Sequence, residues 1–134
     1  MKKLILTLIV TFFVINIFAQ TDSTKQFILI VRYNAKMQQP SKEVLADNIK
    51  HWNEFMRGLA QNGQIVGGYR PSPDGKTITK SEVKEGAYYS NNESISSFII
   101  IKATNIDAAQ AIAKKCPILE FDGSVEVRPL LMTN

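Results

Sequence analysis

The one histidine of the chain, His51, lies between two carboxylates, Asp47 four residues before it and Glu54 three residues after. At a helical repeat all three side chains share one side. Neighbouring carboxylates favour the charged imidazole, which suits such a histidine to take and give protons near neutral pH. Glu85, much later in the chain, is a second acid able to assist it. This makes His51, Asp47 and Glu85 the candidate catalytic residues. The competing reading is a solvated helix face, where charge pairs at this spacing are common and contribute little.

A second set could hold an anion. Glu126 and Arg128 alternate with Val125 and Val127, so in a strand the two charges share one face and the two valines the other. Arg32 closes an apolar run near the start of the chain. A guanidinium from Arg32 or Arg128 can grip a carboxylate through two parallel hydrogen bonds. The same charges could instead form a cross-strand ion pair that fixes register or a dimer contact. Tyr69, Arg70, Glu85 and Tyr88 surround a turn and a loop, where they could line the mouth of a pocket.

Several chemistries find no support. One histidine and one cysteine, Cys116, far apart in the chain do not make a typical zinc site. Glycine pairs occur, but none follows a strand and opens a helix as a phosphate loop must. No nucleophile elbow is present. The net charge of +4 falls to +2 if Lys2 and Lys3 are removed, and the remaining basic residues are scattered. That pattern gives no reason to expect nucleic acid or membrane binding. The expected chemistry is therefore free of metal and cofactor. A lone Cys116 cannot close an internal disulfide and reads as a small packing residue.

The elements that must position these residues follow from periodicity. Gln26 to Tyr33 and Ser97 to Lys102 are short apolar runs rich in β-branched residues, which reads as strands buried on both faces. Val44, Leu45, Asn48, Ile49, Trp52, Phe55, Met56 and Leu59 recur at 3.6-residue spacing, with Asn48 the one polar member. Ser41 is the expected N-cap and Gly63 the expected C-terminal stop. Gln64 to Arg70 reads as a second strand. The turn Pro71-Ser72-Pro73-Asp74-Gly75 then leads to Lys76–Thr79, a short strand expected to complete a hairpin with it. Lys80 to Asn92 reads as a loop. A second helix, capped by Thr104 or Asn105, ends before Cys116-Pro117, and Gly123 to Leu130 is the last strand.

Residues 1–19 differ from the rest. Met1-Lys2-Lys3 is followed by an almost wholly apolar run from Leu4 to Phe18 and then by Ala19. This order is that of a cleavable signal peptide, with cleavage near Ala19, and the run is short for a spanning helix. The mature protein is expected in the periplasm or outside the cell, with no stable membrane insertion. It would have a flexible start at 20–25 and one domain over 26–134.

Strand, helix, hairpin, strand, helix and strand follow in turn, a βαββαβ pattern when the hairpin counts as one element. This is an α+β ferredoxin-like arrangement with an antiparallel sheet and two helices on one face. The two doubly apolar strands fall at its centre. One face is left without helices, and a second copy of the sheet is the simplest cover, giving a homodimer. A long loop folding over the sheet is the rival.

Asn62-Gly63-Gln64-Ile65-Val66-Gly67-Gly68, Pro71 to Lys76, Cys116-Pro117 and Gly123-Ser124-Val125-Glu126-Val127-Arg128-Pro129 resemble the YCII-related proteins, in the branch named for an Asp-Gly-Pro-Phe motif. The similarity spans most of Phe27 to Leu130. It implies a dimeric α/β barrel and, as proposed for some relatives, a histidine and an acid acting as a catalytic pair. At the motif itself this chain reads Glu85-Gly86-Ala87-Tyr88, and Ser96-Ser97 stands where a glycine pair is common. The function implied is binding of a small anionic molecule in a dimer cleft, with isomerase, lyase or dehalogenase-like proton transfer. The alternative is a non-catalytic dimeric module of the cell envelope.

Overall fold

The computed structural model describes residues 23–131. The expected signal segment and its cleavage point lie outside the described residues. Nine elements follow one another: β1 (Lys25–Asn34), α1 (Lys42–Gln61), β2 (Ile65–Tyr69), β3 (Lys76–Ile78), β4 (Val83–Glu85), β5 (Glu93–Ala103), α2 (Ile106–Ala113), a 3-10 turn (Pro117–Phe121) and β6 (Ser124–Pro129). The main sheet has the order β2-β5-β1-β6 and is antiparallel throughout. This is the expected α+β, ferredoxin-like arrangement, with both apolar strands central.

Local chemistry sets the helix ends where the sequence placed them. The Ser41 hydroxyl accepts from the Val44 amide at 3.3 Å, and Asn105 Oδ1 accepts from the Ala108 amide at 2.9 Å. Each satisfies an amide that the first helical turn leaves without a partner. At the far end of α1, Gly63 turns the chain with φ of +64°, a conformation costly for any residue with a Cβ.

One face of the sheet forms the core. Phe27, Leu29 and Val31 from β1 and Ile99 and Ile101 from β5 pack against Leu59 of α1 and Ala109 and Ala113 of α2. Val125 and Val127 join them from β6. Each large side chain buried this way contributes about 1.5–3 kcal/mol. Small residues on α2 let that helix sit close to the strands, which explains why Ala rather than Leu occupies its inner face.

Three features depart from expectation. The segment 76–78 does not pair with β2. It pairs with β4 in a separate two-stranded ribbon, Lys76 opposite Glu85 and Ile78 opposite Val83. β2 pairs with β5 on one side only and is an edge strand of the main sheet. The apolar repeat of α1 is also not buried along its length, since Val44, Leu45 and Ile49 are exposed and only its second half reaches the core. Finally, in the single chain the central strands alternate. Ile28, Ile30, Phe98 and Ile100 occupy the face without helices and are half-buried.

Candidate functional site

Two clusters of chemically active side chains stand on opposite sides of the sheet. The first belongs to the helix layer. Pro117 opens the 3-10 turn, and Asp122, with φ of 52°, ends it before β6. That turn places Glu120 beside α1. His51 Nδ1 lies 2.9 and 3.1 Å from the two oxygens of the Glu120 carboxylate. Because a carboxylate only accepts, Nδ1 carries the hydrogen and donates it, and in the neutral ring Nε2 is the basic nitrogen.

Glu120 is itself held. Asn48, buried one turn before His51, donates from Nδ2 to Glu120 Oε2 at 2.8 Å and to the Pro117 carbonyl at 3.0 Å. The hydrogen bond that His51 donates to Glu120, and then the charge of Glu120, raise the pKa of His51 above the ordinary imidazole value. The Asn48 amide is the largest cause holding the Glu120 carboxyl below its ordinary range. The arrangement is thus an imidazole oriented by a carboxylate, which is oriented in turn by a buried amide. Beside it lies a cleft of about 400 Å3, lined also by Phe55, Gln64, Ile112 and Lys115. Such a group can move a proton to or from a molecule in that cleft.

The acids expected to assist His51 play smaller parts. Asp47 is bonded to Lys50 at 3.0 Å and acts on His51 only through its charge, as Glu54 does. Glu85 sits on the ribbon, bonded to Lys76 at 2.8 Å. The partner that contacts His51, Glu120, was not singled out in the sequence. The one signal was Asn48, a polar residue in an otherwise apolar helical stripe, which marks a buried group that must be satisfied.

The second cluster lies on the face without helices. The register places Ile28 opposite Arg128, Ile30 opposite Glu126 and Arg32 opposite Ser124. Arg32 donates to Glu126 Oε2 at 2.7 Å, and Arg128 Nε lies 3.6 Å from the other oxygen. Both candidate anion anchors are therefore turned toward one carboxylate. Tyr69, at the sheet edge, packs its ring against Gly67 and is exposed. Tyr88 is exposed on the motif loop, whose backbone is tied down by the Ser94 hydroxyl donating to the Tyr88 carbonyl at 2.8 Å. Arg32 and Tyr88 border a common cleft; Tyr69 and Arg128 do not line it.

Among the described residues no group of three or more His, Cys, Asp or Glu side chains is placed to hold a metal ion. Cys116 is buried, and loss of hydration pushes its thiol up to about 11, so it serves as packing.

The chain matches the YCII-related domain over residues 26–134 and belongs to that family. No curated protein matches it.

Proposed function

We propose that this YCII-related chain binds a small organic anion in the helix-side cleft and moves a proton on it, with His51 as the acid/base. The observation that carries this is the bond between His51 Nδ1 and the buttressed Glu120 carboxylate. It fixes the ring, selects the tautomer and stabilises the imidazolium that forms when Nε2 takes a proton. Lys115 lines the same cleft and supplies a cation for the anion. Nε2 can take a proton from one carbon of the anion and give it to another, an isomerisation. It can also take it from one carbon and give it to a leaving group departing with its electron pair from the next, an elimination. Both are net proton transfers by one acid/base group.

The protein acts as a homodimer after export. Support for the dimer comes from the half-buried row Ile28, Ile30, Phe98 and Ile100 on the face without helices, next to the Arg32–Glu126–Arg128 cluster. A second copy related by a two-fold axis would cover that row with its own. Sedimentation of the wild type should give a dimer and Ile30→Glu a folded monomer. A wild-type monomer would remove this part of the reading. Support for export is the charged and then apolar order of residues 1–18, and the N-terminal mass of the secreted protein would test it.

The catalytic reading is tested by a thermal-shift screen of small carboxylates. A ligand at about one hundred times its Kd stabilises by about 2.7 kcal/mol. A hit weakened in both His51→Ala and Glu120→Gln, followed by loss of solvent deuterium exchange into that ligand, supports it. A hit unaffected by either substitution leaves a non-catalytic binding module. On the sheet face Arg32 is hydrogen-bonded to Glu126 at 2.7 Å while Arg128 lies 3.6 Å from it. One carboxylate thus faces two guanidinium groups and Arg128 stays able to meet an anion there, which favours that second reading for this face.

A further inference from the structure

The turn after β2 and the loop after β4 close over the start of β5, leaving a cleft of about 870 Å3 that is separate from the one at His51. Its charged groups divide into those already satisfied and those not. Arg32 is held by Glu126 at 2.7 Å and Lys76 by Glu85 at 2.8 Å. Asp74 is turned into its own loop, where it accepts from the Ser72 hydroxyl at 3.3 Å. Arg70 and Glu93 also line the cleft, and among the described residues neither makes an ion pair.

The spacing of those two charges is set by the sheet. Tyr69 stands opposite Phe98, so Arg70 leaves the edge at the level of Ser97. Glu93 lies four residues earlier on β5. At about 3.3 Å per residue this is about 13 Å along the strand, shortened somewhat by the extra residue where the β1–β5 register shifts. The lining between them is mixed: Ile95 and Phe98 from β5 and Pro71 and Pro73 from the turn give its apolar part, with Ser72 and Ser96 among them.

A simple anion would meet Arg70 but bring its charge toward Glu93, and a simple cation would do the reverse. A ligand with both charges at opposite ends satisfies both and leaves neither uncompensated. An extended chain of three residues spans about 10 Å, and the arginine and glutamate side chains can close the remaining gap. We propose that this cleft binds a short peptide of about three residues in extended form. Its carboxylate is held by the Arg70 guanidinium, its ammonium by Glu93, and its apolar side chain lies against Ile95 and Pro71.

The test is an NMR titration of the full chain with alanyl-leucyl-alanine, its N-acetyl form and its C-terminal amide, at up to millimolar concentration. The free peptide should give saturable shifts at the amides of Ile95 and Ser96. Arg70→Ala should weaken it about 10- to 100-fold, the range for loss of one charge-assisted contact. The same substitution should leave the affinity of the amide unchanged, and Glu93→Gln should behave likewise toward the N-acetyl form. His51→Ala should bind the peptide like the wild type, which keeps this test independent of the acid/base reading. Blocked peptides binding as tightly as the free one, Arg70→Ala binding like the wild type, or no saturable shift would each overturn the proposal.

Discussion

Replacing Asn48 by alanine probes the link between the fold and the His51 pair most directly. Asn48 makes two hydrogen bonds, to the Pro117 carbonyl and to Glu120 Oε2, across a sequence gap of about seventy residues. Pro117 is buried, so its carbonyl loses a partner where water does not readily replace it. That costs about 1–3 kcal/mol, above the value of an ordinary solvent-replaced bond. The second bond is to a charged group, but Glu120 is partly exposed, its side chain at 43%, and water can re-solvate it. This bond therefore adds less than a buried charged contact, and the expected total is about 2–3 kcal/mol. For a domain of this size each kcal/mol lowers Tm by about 4–8 °C, so the loss should be plain in a thermal melt.

A second readout separates buttressing from mere stability. With Asn48 gone, Glu120 is free to rotate and its carboxyl rises toward the ordinary range, because the amide is the main cause of its depression. The pKa of His51 should then fall toward its ordinary value. Its imidazole proton is easily followed, since the chain has one histidine. Asn48→Asp, which sets a second carboxylate beside Glu120, should be less stable still than Asn48→Ala. An alanine variant that melts within a degree of the wild type, with an unchanged His51 titration, would refute the buttress.

Three further outcomes are expected. A Cβ at Gly123 would lie 2.5 Å from the Arg32 carbonyl and 2.5 Å from Ile118 Cγ1. Gly123→Ala should therefore destabilise by about 1–3 kcal/mol through forced backbone movement, measured by urea unfolding. The His51–Glu120 pair should give stability a pH dependence. His51 is raised in the folded state, so its contribution is complete below its ordinary value of 6.5 and is lost as pH rises through the folded value. Glu120 is lowered, so its contribution is complete above its ordinary value of 4.5 and is lost as pH falls through the folded value. The pair is most stabilising between these limits, and Glu120→Gln should flatten the profile of unfolding free energy against pH. Cys116 should resist a thiol reagent in the native protein and react at once in urea, because burial keeps its thiol protonated and inaccessible.

The sequence alone determined the elements and their polarity. Continuous apolar runs at Phe27–Val31 and Phe98–Ile101 marked the central strands, because only strands covered from the core side and flanked by neighbours tolerate that composition. Ser41, Gly63 and Asn105 marked helix ends, since capping depends on amides a few residues away. The alternation of Val125 and Val127 with Glu126 and Arg128 fixed which face of β6 meets the core. All of these are relations between near neighbours in the chain.

What tertiary structure decided were the partners. That β3 turns away to pair with β4 and leaves β2 an edge strand depends on where the turn after Tyr69 carries the chain, which no local window shows. Exposure of Ile49 and its neighbours depends on where α1 overruns the sheet, which its periodicity cannot report. Arg32 meets Glu126 94 residues away, and His51 meets Glu120 69 residues away. In both cases the crossovers set the distance. Helical spacing correctly put Asp47 and Glu54 near His51, but it cannot show that the 3-10 turn after Cys116-Pro117 returns to α1 and brings the one carboxylate close enough to bond the ring.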